Sequence, residues 1–360
     1  MKKKLLFAVV VLFLVLGGAE LVARRLPSEP VPPRGIVMPP HPTRGWTLAE
    51  PTISMKLYHA TADGLRRPAD EGPEGAPLVL TTGDSSIFGD GLPDGLTIHD
   101  QLHAKLNASV PSRVATLGVP GYSTEQTRVV LDEVGWDLSP RLLVVGNVWS
   151  DSNTERLRDR DLLDAASSIF GRAELLLSDS ALFYQVRARI NAARGLPARR
   201  KVTWPVLGAT GLRRVPLADY AGNLAAILNG AAGRGVGVVV LALTNEVKLN
   251  GAQGQQPWDP YFDVQRRAAE AHGVPIVDAT RVLAGSTPSS VLHDNLHPNQ
   301  AGAERIAAAL ATAILDAGWP GATPVPGEAA PVSTGADTWD GREKPNDRSA
   351  VRDALEADPI

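Results

Sequence analysis

The stretch PLVLTTGDSSIFGDG, Pro77 to Gly91, decides the fold. It opens with an apolar run that has the length of a buried strand, and where that strand should end the chain turns to glycine, an acid and two serines. Glycine permits a tight exit from a strand. A serine placed just beyond it can present its hydroxyl at the edge of a sheet. Alone, Gly83-Asp84-Ser85-Ser86 is a weak signal, because such tripeptides are common in turns.

Apolar runs and helical segments alternate along the chain from Pro77 onward. The runs of strand length are Leu78–Leu80, Val114–Leu117, Leu142–Val145, Val236–Leu243 and Val274–Val277. The helical segments begin near Thr97, Ser123, Leu217, Pro260 and Asn299. Strands without internal alternation, separated by helices, indicate a parallel sheet covered on both faces. We therefore expect an α/β domain over residues 76–318, a three-layer sandwich around a doubly wound, mainly five-stranded parallel sheet.

Residues 152–215 are too long for a simple crossover between two strands. They contain SSIFGRAELLLSDSALFYQVRARI, which is helical in pattern and fairly apolar. Such an insertion is either an extra helical layer that completes the core or a lid, or acyl-chain groove, beside the site.

The N-terminus, residues 1–25, has the pattern of a membrane anchor or a signal peptide. Lys2–Lys4 precede an apolar run that extends from Leu5 to Ala23 with Glu20 as its one charge, and two arginines close it. As a helix this run is about 28 Å long, close to the ~30 Å hydrocarbon core of a bilayer. An uncleaved anchor is the favoured interpretation. The alternatives are a signal peptide cleaved near Ala19 and a buried soluble helix. Both export readings leave the lysines in the cytoplasm and the domain periplasmic or extracellular.

Proline dominates the next segment, and residues 26–75 are predicted to be a stiff stalk followed by a lead-in that packs on the edge of the domain. Residues 319–360 are rich in proline, glycine and charge and poor in apolar residues. Such a composition buries too little surface to offset the ordering entropy, so a disordered tail is expected.

Bulk composition excludes several classes of function. Of the 360 residues 44% are hydrophobic and 21% charged, enough for a sizeable core. The net charge of −3 and the absence of a basic cluster argue against nucleic-acid binding. The chain has no cysteine, which excludes disulfides, thiolate catalysis, cysteine metal sites and a lipidated cysteine anchor.

A serine nucleophile needs a base, and the segment VLHDNLHPNQAG offers one. Asp294 lies three residues before His297, so the carboxylate can orient the imidazole, and Pro298 would then start the final helix. The alternative for this motif alone is a capping aspartate beside a surface histidine. Other histidines have simpler explanations; His99 and His103, for instance, fit the face of a surface helix.

Two further segments follow predicted strands. In GVPGYSTEQ, Gly121 precedes a helix whose Ser123 and Gln126 have the spacing of a capping box. A backbone N–H there can point into a site and stabilise negative charge. In LLVVGNVWSDSN, Ser150 and Asp151 lie just beyond the third strand.

Together these motifs resemble the SGNH hydrolase superfamily, also called GDSL esterases and lipases, here of a membrane-anchored bacterial type. The likeness covers residues 76–318 and implies the flavodoxin-like fold of that superfamily. The GDS block falls on Gly83-Asp84-Ser85, which implies Ser85 as nucleophile. The second block's glycine falls on Gly121. The last block falls on Asp294, His297 and Pro298, which implies a Ser-His-Asp triad.

One block departs from the family's pattern. Where the family has an Asn-Asp pair, with the asparagine donating to the oxyanion, this chain has Ser150 and Asp151. Loss of one oxyanion donor typically raises the barrier by about 2.7–4 kcal/mol. Either Ser150 substitutes, or Asn147 or Asn153 supplies the donor, or the hole relies on the Ser85 and Gly121 amides.

The resemblance implies an extracytoplasmic serine ester hydrolase that acts on small-molecule, glycan or lipid esters through an acyl-enzyme, with no metal or organic cofactor. Asp84 and Asp151 are expected to support the site. The alternatives are an acyltransferase acting on cell-envelope glycans with the same triad, and a catalytically weak binding module.

Overall fold

The computed structural model of the protein describes residues 2–26, 36, 38–50, 58–155, 157–177, 180–193, 211–251 and 256–321. Its strands are β1 (Pro40–His41), β2 (Gly45–Trp46), β3 (Leu78–Gly83), β4 (Arg113–Thr116), β5 (Leu142–Gly146), β6 (Thr154–Glu155), β7 (Leu212–Arg213), β8 (Gly237–Ala242) and β9 (Ile276–Asp278). Its helices are α1 (Lys2–Ala23), α2 (Ser85–Phe88), α3 (Ile98–Asn107), α4 (Thr124–Val130), α5 (Trp149–Ser152), α6 (Asp159–Ser167), α7 (Ile169–Leu177), α8 (Ala181–Ala193), α9 (Leu217–Ala232), α10 (Glu246–Leu249), α11 (Asp259–Ala271), α12 (Ala279–Val282), α13 (Pro288–Val291) and α14 (Gln300–Asp316). A single π-helical turn, Leu131–Gly135, continues α4.

Five strands form a parallel sheet in the order β4-β3-β5-β8-β9, which confirms the predicted sheet. Every residue of β3, β5 and β8 is buried, as continuous apolar runs require when helices cover both faces. The chain winds from β3 outward to β4 and then crosses to β5 on the other side. The strand order therefore reverses beside β3, where Gly83 pairs with Gly146 of β5. In open α/β sheets, sites form at the carboxyl ends of strands at such a switch point.

Helices pack on both faces of this sheet. One layer contains α3 and α14, and the other contains α4, α9 and α11. Helix α14 buries Ala303, Ile306, Ala307, Leu310 and Ile314, whose spacing of three and four residues places them on one side of the helix. Burial of each large aliphatic side chain contributes roughly 1.5–3 kcal/mol. This stripe fixes the last helix, and so the loop before it, against the sheet.

Helix α3 is not the surface helix that was predicted for His99 and His103. Both side chains are buried, since α3 packs against α14 and the segment around Gly72 lies against His103. Burial lowers the pKa of His99 to about 4. The prediction failed because the histidines occupy the packed face of the helix, not its solvent face.

The insertion begins with α6, which buries Leu162, Leu163 and Ala166. Helices α7 and α8 follow, and the short antiparallel pair of β6 and β7 closes the insertion. At the N-terminus, α1 is long and apolar enough to cross a membrane, judged by length and composition. The predicted tail beyond residue 321 and residues 27–35, 37 and 51–57 of the predicted stalk and lead-in lie outside the described residues.

Candidate active site

Ser85 begins helix α2 directly beyond β3. Asp84 caps this helix, because its side chain accepts the N–H of Ser86 at 3.0 Å. A Cβ on Gly83 would lie 2.4 Å from the Ile87 side chain and 2.9 Å from the Gly146 carbonyl. Only glycine therefore lets α2 rest this closely on the two central strands. The result is a nucleophile-type serine at a helix N-terminus above the switch point.

Three side chains from distant segments meet there in one chain of hydrogen bonds. The Ser85 hydroxyl lies 2.8 Å from Nε2 of His297, and Nδ1 of His297 lies 2.7 Å from Oδ2 of Asp294. Ser85 and His297 are 212 residues apart in sequence. Their side chains are almost fully buried, whereas that of Asp294 is 42% exposed. This geometry suits proton transfer from the hydroxyl to the imidazole, with the carboxylate holding the tautomer.

The loop between α13 and α14 holds Asp294 and His297 without a helix. One carboxylate oxygen of Asp294 accepts the backbone N–H of Leu296 at 2.8 Å and of His297 at 2.7 Å, which leaves the other oxygen for the imidazole. The prediction that Pro298 starts the final helix is wrong by two residues. Asn299 caps α14 through the N–H of Gly302, so the helix begins at Gln300.

The charges around His297 favour its protonated form. Burial opposes the imidazolium, but the hydrogen bond and charge of Asp294, together with Asp90 and Asp84, raise the pKa of His297. Burial likewise opposes the Asp294 carboxylate, yet its bonds to His297 and Leu296 hold the pKa of Asp294 well below the usual range. Sequence reasoning missed Asp90, whose carboxylate lies 3.9 Å from Nε2 of His297. Its one sequence signal was its place in the loop after Ser85.

His293 also lies beside the triad and was not predicted. Its ring stacks on that of His297, with centroids 5.5 Å apart and planes 15° apart. Potential ligand atoms of His293, Asp294 and His297 lie within 4.8 Å of one another, the one such group found in the described part of the chain. Two of the three are already bonded as triad members, so a cation there would displace the proton between Asp294 and His297.

Two backbone N–H groups are available for an oxyanion hole. The N–H of Ser85 is at the start of α2, where no intrahelical acceptor exists, and that of Gly121 lies in a turn with φ +81°. Within the described residues neither donates a hydrogen bond. The Trp46 indole donates to the Pro120 carbonyl at 3.0 Å, and Arg214 donates to the Gly121 carbonyl at 2.6 Å. In both peptide units that flank Gly121 the carbonyl oxygen is therefore bound, and this oxygen lies on the side opposite to the N–H of the same unit.

The segment after β5 packs against the serine turn. The second carboxylate oxygen of Asp84 accepts the N–H of Trp149 at 3.2 Å, so α5, in which Ser150 is the next residue, is fastened beside Ser85. Burial is the main cause that raises the pKa of Asp84. The Ser150 side chain is 5% exposed, and no partner for its hydroxyl occurs among the described residues.

Asn147 and Asn153, the other candidates for the third donor, are engaged differently. The Asn147 side-chain oxygen accepts from Thr127 at 3.1 Å, while its buried amide nitrogen has no partner within the described ranges. Its main-chain carbonyl is held by Tyr220 and by Gln265, each at 2.8 Å. Asn153 lies beyond the end of α5 and is only partly buried.

Asp151 is fully buried behind the site. One of its carboxylate oxygens accepts both the N–H and the hydroxyl of Thr124, at 2.9 and 2.5 Å, and the other has no partner in the part of the chain that is described. Burial raises the pKa of Asp151 to about 7, with nearby Asp159 acting in the same direction and Arg214 against it. Asp151 therefore joins the start of α4, and through it the Gly121 turn, to α5.

No protein-family model matches the chain, and no curated protein matches it in sequence. Solved structures do resemble it. An alpha/beta hydrolase enzyme from the metagenome of Lake Arreo, Spain, is 20% identical, over 66% of this chain and 95% of that one, with a TM-score of 0.44. A lipase/acylhydrolase from Enterococcus faecalis is 16% identical, over 66% and 95%, with a TM-score of 0.43. An acetylxylan esterase from Geobacillus stearothermophilus is 15% identical, over 70% and 99%, with a TM-score of 0.44.

Proposed function

We propose that the protein is a serine ester hydrolase of the SGNH type. The single observation that carries this proposal is the continuous hydrogen-bond chain from Ser85 through His297 to Asp294 at the switch point of a parallel sheet. A structural serine and a surface histidine would have no reason to meet in this order with a carboxylate on the far ring nitrogen.

In the proposed mechanism His297 removes the proton of Ser85 as the hydroxyl attacks the ester carbonyl. Asp294 holds the imidazole by its Nδ1 and stabilises the imidazolium that forms. The tetrahedral oxyanion is bound by the N–H groups of Ser85 and Gly121 and by the hydroxyl of Ser150. His297 then protonates the leaving alcohol. In the second half of the reaction His297 removes a proton from water, which attacks the acyl-enzyme carbonyl, and His297 then returns the proton to Ser85 as the acid is released.

Asp84 serves this site by bonding rather than by proton transfer. It caps α2, which carries Ser85, and its other oxygen fastens α5, which carries Ser150. Two of the three elements that hold the proposed oxyanion donors, α2 and α5, are thereby tied through one buried carboxyl group. Asp151 supports the site from behind through its bonds to Thr124.

The test compares Ser85→Ala with Ser86→Ala in the full chain. Ser86 is the matched control, because it is the next residue of α2, is buried, and has a hydroxyl without a partner among the described residues. With p-nitrophenyl acetate and octanoate we expect Ser85→Ala to lose at least about 10³-fold in kcat/KM and Ser86→Ala to change little. A fluorophosphonate should label all chains except Ser85→Ala. Equal turnover by Ser85→Ala and the unaltered chain would refute the proposal.

We also propose that α1 remains attached as an anchor and that the domain lies outside the cytoplasm. Lys2–Lys4 favour a cytoplasmic N-terminus. The contact of Glu20 with the start of α8 is consistent with retention, since α1 holds Glu20 within its last turn, where Glu20 caps α8. Intact mass of the membrane-extracted protein tests retention. Labelling of an Arg281→Cys chain by an impermeant maleimide in spheroplasts tests sidedness, and labelling only after lysis would contradict it.

A further inference from the structure

The last two helices of the insertion present apolar side chains to the outside. On α7 and α8 the most exposed are Ile169 at 78%, Leu176 at 85%, Leu177 at 46%, Val186 at 46% and Ile190 at 46%. Helix α7 packs against α6, and α8 packs against α1. On each helix these residues recur at spacings of four or seven, which places them on one side of the helix, and exposed apolar faces of this kind mark interaction sites.

The N-terminal helix fixes the start of α8. The carboxylate of Glu20 accepts the N–H of Ala181 and of Leu182, each at 2.9 Å, and the hydroxyl of Ser180 at 2.8 Å. A carboxylate in this position satisfies the free N–H groups at a helix start and complements the helix dipole. The one charge that interrupts the apolar run of α1 is therefore the cap of a helix in the insertion.

This contact sets the depth of the insertion relative to a bilayer. Helix α1 has 22 residues and is about 33 Å long, so a bilayer-spanning α1 with Lys2–Lys4 on one surface ends near the other. Glu20 lies in its last turn. Leu177 lies three residues before Ser180, hence within about 11 Å of it. This distance allows Leu176 and Leu177 to reach the level where headgroups meet acyl chains.

The charge of the same segment suits an anionic membrane surface. Helix α8, Ala181–Ala193, contains two basic residues, Arg187 and Arg189, and no acidic one. Helices that lie in the bilayer interface combine an apolar face with lysine and arginine on the other. Basic residues near an anionic leaflet each contribute about 1 kcal/mol to binding.

We propose that α7 and α8 form a second membrane contact beside the anchor, with their exposed apolar side chains inserted into the outer interface of an anionic bilayer. The proposal rests on the insertion of α1 that is part of the proposed function. It does not depend on the catalytic residues. Helix α6 begins at Asp159, which forms a two-pronged ion pair with Arg214, the residue that holds the Gly121 carbonyl. The insertion therefore connects the membrane surface to the rim of the candidate active site.

The chain has no cysteine of its own, so a single introduced cysteine is the one site that a thiol-reactive label can modify. The full chain is labelled with an environment-sensitive fluorophore at Leu176→Cys, Leu12→Cys or Arg281→Cys. It is then reconstituted in phosphatidylcholine–phosphatidylglycerol vesicles with brominated acyl chains. Leu12 reports the anchor, and Arg281, 91% exposed on α12, is the matched surface control.

We expect brominated lipid to reduce the emission of the Leu176 label at least twofold, as for the Leu12 label, and to leave the Arg281 label unchanged. A Leu176 label that behaves like the Arg281 label while the Leu12 label is quenched would overturn the proposal. A Leu12 label without quenching would overturn the proposal because α1 would then not be inserted in the bilayer, which is its premise. Ester hydrolysis by the same samples would still report separately on the candidate active site. Disulfide-linked dimers of Val186→Cys chains, formed in detergent and in vesicles alike without lipid quenching, would assign the face to a second copy and also overturn it.

Discussion

The indole N–H of Trp46 donates to the carbonyl of Pro120 at 3.0 Å, and that carbonyl belongs to the same peptide unit as the N–H of Gly121. In a trans peptide the C=O and N–H point in opposite directions. A donor bound to the carbonyl therefore fixes the direction of the N–H that is proposed to meet the oxyanion. A second hydrogen bond joins the same two segments, from the hydroxyl of Tyr122 to the Trp46 carbonyl at 2.7 Å.

Replacement of Trp46 by phenylalanine should separate this hydrogen bond from the packing of the ring. Phenylalanine retains most of the edge contact with Tyr122 and the stacking under Arg214 but has no N–H. A net hydrogen bond of about 0.5–1.5 kcal/mol corresponds to roughly a 2- to 10-fold loss of kcat, with KM little changed.

The matched control is Trp136→Phe, which removes an indole bond to Asp132 on the exposed side of the π-helical turn. A boronic acid that mimics the tetrahedral intermediate should lose affinity for Trp46→Phe by the same factor as kcat. If both tryptophan variants retained full kcat, the positioning role of Trp46 would be wrong.

The sheet was predictable because its information is local. A buried parallel strand such as β5 needs an unbroken apolar run, and the helices between strands carry their own periodicity and caps. The Ser123–Gln126 capping box, for example, forms as its spacing predicts, with the Ser123 N–H 2.9 Å from the Gln126 side chain. The strand ends then dictate which loops gather at one edge. Ser85 follows one such strand end, whereas its pairing with His297 was implied by the family resemblance of the motifs.

Contacts made through a third element were not predictable in this way. Trp46 meets Pro120 across 74 residues, and Asp90 approaches His297 because the chain turns at Gly89 directly after α2. No periodicity links such residues. His103 shows the same limit, since a helix with polar residues on two sides does not reveal from sequence which side another element will cover.

Ser150→Ala should lower kcat by about 10²–10³-fold if its hydroxyl is the third oxyanion donor. Ser150 follows Trp149, whose N–H bonds Asp84, the neighbour of Ser85, so Ser150 is on the helix that is fastened beside the nucleophile. Ser152→Ala is the control, because it removes a hydroxyl from the same helix that instead bonds the Trp149 carbonyl.

Asn147→Ala tests the competing donor. Here the expected result is a loss of stability of about 1–3 kcal/mol, as the Thr127 hydroxyl loses its acceptor, with a small change in kcat. The assignment to Ser150 is contradicted if kcat falls strongly in Asn147→Ala and not in Ser150→Ala. Steady-state kinetics with p-nitrophenyl acetate, and urea unfolding of the same samples, provide both readouts.

Asp90→Asn should move the acid limb of the pH–rate profile to lower pH. His297 acts as base only when neutral, and Asp90 is one of the carboxylates that raise its pKa. Removal of that charge lowers the pKa of His297, so a larger fraction of the variant is active at acid pH. The profile of kcat/KM is measured from pH 4 to 9. Asp90→Glu, which keeps the charge, should retain the original limb, and an unmoved or raised limb in Asp90→Asn would contradict the role of Asp90.

Asp151→Asn should become progressively more stable than the unaltered chain as the pH rises from about 4 to about 7. Burial raises the pKa of Asp151 from 3.8 to about 7, so in this window the folded protein binds a proton that the unfolded chain has lost. The free energy of unfolding therefore falls as the pH rises, by up to about 1.4 kcal/mol per pH unit for one proton. Asparagine cannot ionise, and its amide oxygen can still accept from Thr124.

Urea unfolding followed by tryptophan fluorescence in detergent, at half-unit steps from pH 4 to 8, measures the difference. Asp137→Asn, at an exposed carboxyl group, is the control and should parallel the unaltered chain. Below about pH 4 the buried group is protonated in both states, so the advantage of Asp151→Asn should vanish there. A constant stability difference across the range would mean that Asp151 does not keep its proton to near-neutral pH in the folded protein.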